Sequence, residues 1–128
     1  MTSRFTELNV DCHRPHELAA FWCAVLGYEV IDTQDDLVEI AGWRPTAEEV
    51  RARVNAPTLL FARVPESKTV KNRLHIDVSP IDRGQDEEVE RLLALGARRV
   101  DIGQGEQNWT VLVDPEGNEF CVLRSLHP

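Results

Sequence analysis

His75, Asp77 and Ser79 alternate with Ile76 and Val78 in the stretch Asn72-Arg73-Leu74-His75-Ile76-Asp77-Val78-Ser79. On a strand, residues two apart project from one face. An imidazole and a carboxylate there can hold a metal, move a proton or hydrogen-bond a ligand. Near the start of the chain, Glu7-Leu8-Asn9-Val10-Asp11-Cys12 repeats the alternation, with Glu7, Asn9 and Asp11 on the polar face. Leu8-Asn9-Val10-Asp11 aligns with Ile76-Asp77-Val78-Ser79, so Glu7 and His75 take equivalent positions. They are the two candidate catalytic residues. A buried Glu7 would have a raised pKa and could act as a base; on a rim it would be an ordinary carboxylate. Candidate ligand-binding residues are Asn9, Asp77, Trp109, Glu119 and Cys121. Trp109 could stack on an aromatic ligand or pack in the core. Cys121 reads as a small apolar wall. Glu119 reads as a rim residue or a salt-bridge partner. Lys68, Lys71 and Arg73 could steer an anion, but read more simply as a solvated loop.

The elements that must position these residues come twice. Residues 5–12 read as a strand, followed by a helix from about Pro15 to Leu26. Leu18, Phe21, Trp22, Val25 and Leu26 form its apolar face, and Gly27 ends it. Strands follow at 28–32, 37–41 and 58–64, with a short helix expected between Pro45 and Arg53. The second half opens with a strand over Arg73–Ser79 and a helix over Asp86–Leu95. That helix turns Val89, Leu92, Leu93 and Leu95 inward and is closed by Gly96. Strands at 98–102, 108–113 and 119–124 complete it, the last two joined by the turn Asp114-Pro115-Glu116-Gly117-Asn118. The order is strand, helix, three strands, then the same again. The expected architecture is α+β: one domain over 1–128, with module 1 at about 4–65 and module 2 at about 72–126. The two βαβββ modules form a curled mixed sheet with helices outside and the polar strand faces lining a shared cup.

Composition narrows the function. The chain has 128 residues, 42% hydrophobic and 28% charged, with a formal net charge of -8. Nucleic acid and anionic membrane both call for concentrated Lys and Arg, and this balance points away from them. No apolar run approaches the ~20 residues of a membrane span. Residues 1–7 have no apolar core of a secretory leader. Cys12, Cys23 and Cys121 are odd in number and widely spaced, as for reduced thiols in a cytoplasmic protein. A GxSxG elbow, a phosphate-binding glycine loop and HExxH are all missing from the sequence.

Three stretches resemble the vicinal oxygen chelate superfamily, which groups glyoxalase I, bleomycin-resistance proteins and extradiol dioxygenases. They are Leu18 to Tyr28 (LAAFWCAVLGY), Arg63 to Asp77 (RVPESKTVKNRLHID) and Trp109 to Phe120 (WTVLVDPEGNEF). Within the superfamily the chain is most similar to small glyoxalase-like domain proteins. The resemblance implies paired βαβββ modules, a small-molecule ligand and a homodimer. It also implies a divalent metal (Zn, Ni, Fe or Mn) held by one side chain from each opening strand and one from each closing strand. By position this chain offers Glu7 and His75. At the place of the usual closing glutamate stands Cys121, with Glu119 two residues earlier on the same face. The first module's closing strand, Leu59 to Val64, offers no ligand. The metal set is therefore incomplete, and glyoxalase I activity itself is not expected. Two readings stay open. In one, a lyase, isomerase or dioxygenase acts on a small hydrophobic or aromatic molecule. In the other, a non-catalytic protein sequesters a drug or metabolite as bleomycin-resistance proteins do.

Overall fold

The computed structural model describes residues 2–52, 56–100 and 109–126. The chain divides into two compact units, Met1–Ser67 and Lys68–Pro128, each with its own sheet. Strand β1 (Glu7–Cys12) leads into helix α1 (Pro15–Leu26), β2 (Glu29–Gln34), β3 (Leu37–Ala41), the short α2 (Ala47–Ala52) and β4 (Thr58–Arg63). The second unit runs β5 (Ile76–Val78), α3 (Gln85–Leu95), β6 (Arg98–Arg99), β7 (Thr110–Val113) and β8 (Glu119–Val122). The sheets have the orders β1-β4-β3-β2 and β5-β8-β7-β6. In each, the opening strand runs parallel to the closing strand, and the other pairings are antiparallel. The α+β class and the two βαβββ modules are therefore present.

Helix α1 begins where Pro15 can take the first helical position without losing a bond. It stops at Gly27, which adopts φ 69° and donates its N–H to the Cys23 carbonyl. Leu18, Ala19, Phe21, Trp22 and Val25 are buried, and the helix packs on β3 and β4. Beneath it lie Val38, Ile40 and Phe61, all closed to solvent. Each large side chain so buried contributes about 1.5–3 kcal/mol. Phe21 and Trp22 meet edge to face with ring centres 5.4 Å apart. In the second unit α3 packs on β8, where Phe120 and Val122 are fully buried.

Several expected details are corrected. The strand expected over Arg73–Ser79 is only Ile76–Val78, paired with Phe120–Val122. Upstream of it the backbone is out of the ladder, and the Asn72 N–H donates to the Glu119 side chain at 2.9 Å. His75 thus lies just ahead of the strand and is exposed. The opening strand starts at Glu7, not at Phe5, which is exposed. Trp109 precedes β7 and is 37% exposed. Leu95 is exposed on α3, because the chain turns away at Gly96 and Ala97 is buried instead. The buried face of α3 holds Glu88, whose carboxylate accepts two bonds from Arg91 at 2.7 and 2.9 Å. Of the expected strand at 98–102, residues 101 and 102 lie outside the described residues, as do Arg53 and Asn108.

Candidate functional site

In the first unit, parallel register sets Glu7 opposite Thr58, Asn9 opposite Leu60 and Asp11 opposite Ala62. Glu7, Asn9 and Asp11 are exposed. The face away from Val38, Ile40 and Phe61 also carries Glu39, opposite Leu60 on β3. Glu39 Oε2 accepts a 2.6 Å bond from the Thr58 hydroxyl, so Thr58 lies between the positions of two carboxylates. Sequence reasoning missed Glu39. Its signal was an acid set between the apolar Val38 and Ile40, which alternation turns to the opposite face.

In the second unit, register places Asp77, Cys121 and Val111 abreast, with Glu119 and Val113 beside them on the same face. All four residues of β8 are buried. Glu119 is 7% exposed and forms an ion pair with Lys68 at 2.8 Å. Its other oxygen accepts the Asn72 N–H. Burial alone would raise this carboxyl, but the bonds from Lys68 and Asn72 outweigh it and hold the pKa below the usual value. Glu119 is thus a salt-bridge partner rather than a rim residue. Asn72 reaches further: its Nδ2 donates to Asn118 Oδ1 at 2.9 Å. The Asn118 amide can face only that way, because its Nδ2 donates to the Asp114 carboxylate, which has acceptors alone. Asp114, 1% exposed, also accepts the N–H groups of Glu116 and Asn118. The turn Asp114–Asn118 therefore fastens the crossing segment Lys68–Asn72.

Cys121 sits between that fastening and Asp77. Burial, followed by the Asp77 charge and a hydrogen bond to it, pushes the thiol pKa up, with Lys71 opposing. The thiol is a protonated donor to Asp77 at neutral pH, not a nucleophile. Cys12, Cys23 and Cys121 are thiols, with no disulfide among the described residues.

His75 is the exposed member of the cluster. Lys71 Nζ lies 3.0 Å from His75 Nε2 and 3.3 Å from the Asn72 carbonyl. An ammonium only donates, so Nε2 must accept and the ring proton must sit on Nδ1. Sequence reasoning took Lys71 as solvated loop; the spacing of four residues outside a helix gave no hint of this contact.

The donors do not fit the divalent metal that the fold resemblance implies. An ion bound at His75 needs a ring lone pair, yet Nε2 faces an ammonium and Nδ1 carries the proton. Glu119 has both oxygens engaged, and Cys121 holds its proton. Among the described residues no group of three His, Cys, Asp or Glu side chains could hold an ion.

The structure places the sequence candidates in two sets: Glu7 and Asn9 in the first unit, and His75, Asp77, Glu119 and Cys121 in the second, with Trp109 at the edge of β7. A family model for the glyoxalase-like domain matches residues 7–123. No curated protein matches the sequence. Solved structures do. A glyoxalase/bleomycin resistance protein/dioxygenase family enzyme from Burkholderia phytofirmans PsJN is 18% identical, with TM-score 0.64, covering 94% of this chain and 97% of that one. The fosfomycin resistance protein FosX from Mesorhizobium loti is 12% identical, with TM-score 0.65, covering 96% and 92%. A FosX mutant from Listeria monocytogenes, complexed with Mn(II) and a dihydroxypropylphosphonic acid, is 16% identical, with TM-score 0.62, covering 98% and 91%. At these identities the likeness is one of fold. With nearly its whole length matched and both modules in place, the chain belongs to the glyoxalase-like domain family of the vicinal oxygen chelate superfamily.

Proposed function

We propose that this protein binds a small hydrophobic or aromatic molecule on the strand faces turned away from its helices, with His75 as the polar group that meets it. The observation that carries this reading is the exposed His75, held in one tautomer by Lys71 at 3.0 Å beside Asp77 and the buried Cys121. The exposed Val70 and Leu74 offer apolar contact nearby in sequence, and Trp109 offers an aromatic face at the edge of β7. Glu7 and Asn9, on the equivalent strand of the first unit, are proposed as ligand-serving groups of that unit's own sheet face. If the ligand is transformed, the chemistry that suits these residues is proton transfer α to a carbonyl, of lyase or isomerase type, with Glu7 as base and His75 as a hydrogen-bond donor. Dioxygenase chemistry would need an ion that this donor set does not suit. The exposed apolar residues favour, as a second reading, a protein that sequesters its ligand unchanged. The fosfomycin resistance proteins of the same fold show that drug-directed members of this architecture exist.

We further infer that two copies associate and that the protein works in the cytoplasm, where three thiols stay reduced. Binding is tested by titrating benzamide and benzoate into the full chain and following backbone amide NMR shifts. Shifts concentrated at residues 71–78 and at the Trp109 indole are expected, with His75→Ala weakening the response about tenfold, the scale of one lost hydrogen bond to a ligand. No shift there with either probe would sink the proposal.

A further inference from the structure

Among the described residues of the second unit, Lys71 is a cation held by hydrogen bonds but by no carboxylate. Lys68 is matched by Glu119, Arg83 by Asp82, Arg91 by Glu88 and Arg99 by Glu90. Lys71 is different. Its ammonium meets an imidazole nitrogen and a backbone carbonyl, and among the described residues no carboxylate lies at ion-pair distance from it. This occurs in a chain with 22 acidic and 14 basic residues, where an acidic partner is easily supplied. The nearby carboxylate, Asp77, accepts the Cys121 thiol instead. An ammonium has three donors, and these two contacts leave the third available among the described residues. Beside it, His75 presents an Nδ1–H as a further donor.

Resting on the binding reading above, we propose that Lys71 is an oxyanion-binding residue and that the ligand of the second unit carries a carboxylate. The ammonium takes one carboxylate oxygen through a charge-assisted hydrogen bond, about twice the strength of a neutral one. His75 has two parts in this. Accepting at Nε2, it orients the ammonium, and its own Nδ1–H is positioned as a donor for the same ligand. The exposed Val70 and Leu74, 76% and 80% open to solvent, flank this donor pair in sequence and suit an apolar body attached to the acid group.

The test compares benzoate with benzamide, which share a ring and a shape but differ in charge, by NMR titration of the full chain. Benzoate is expected to bind about tenfold more tightly, with shifts centred on residues 71–78. Lys71→Met should abolish the preference and Lys71→Arg should keep most of it, whereas Arg73→Met should leave it unchanged. Amide signals from the helices report in the same spectra that each variant is folded. Equal binding of the two probes would overturn the role of Lys71 while leaving the binding site standing. So would a preference that survives Lys71→Met. Failure of both probes to reach residues 71–78 would overturn the site itself.

Discussion

At the residue scale, Glu119 is the side chain whose role differs most from what its type suggests. A carboxylate on a sheet face beside a histidine reads as a ligand or a base. Here Lys68 and the Asn72 N–H hold it in its charged form. Its folded pKa lies below the ordinary 4.5, so its contribution to stability is present in full above that value. The contribution is lost as the pH falls through the lower native value. Glu119→Gln would set an amide N–H₂ or leave one acceptor against a largely buried ammonium, costing about 2–3 kcal/mol at pH 7. Urea unfolding of both proteins from pH 7 to pH 3 should show the gap closing only at the acid end. A gap that is constant with pH would mean the charge is not what matters.

At the element scale, the two long helices end alike but not at equal cost. Gly27 adopts φ 69° and Gly96 φ 118°. An alanine tolerates the first at about 1 kcal/mol, but the second lies outside the small left-handed well open to it. A Cβ at Gly96 would meet only the Pro115 ring at 3.7 Å, an ordinary contact, so any cost comes from the backbone. Gly96→Ala should therefore lower the denaturant midpoint more than Gly27→Ala, by about 1 kcal/mol or more. Equal effects would show that the last turn of α3 relaxes to relieve the strain. These helix ends were plain in the sequence, since proline and glycine bracket α1 at Pro15 and Gly27 as expected. Alternation likewise gave the facing of Asp77, Glu119 and Cys121. What it could not give was partnership. Glu119 finds Lys68 across 51 residues, and no local pattern encodes that. The strand expected over Arg73–Ser79 is likewise only three residues long, and just upstream the Asn72 N–H is taken by the other oxygen of Glu119.

At the scale of the whole molecule, duplication was legible because each half repeats one alternating strand and one capped amphipathic helix. The two sheets duly have the same strand order. Among the described residues no helix is long and apolar enough to cross a membrane. In each sheet the opening strand stands at one edge and a second strand at the other, and edge strands can pair with another chain. Sedimentation equilibrium should give twice the 14.5 kDa of one chain. A mass of one chain at micromolar concentration would remove the proposed dimer.

The crossing segment Lys68–Asn72 is tied down through the same closing-strand glutamate that a designer would recruit to build a metalloenzyme on this scaffold. Turning that oxygen toward an ion would release the passage between the two repeats. Gain of redox or Lewis-acid chemistry here is thus coupled to chain path, and a new anchor for Lys68 would have to be installed first.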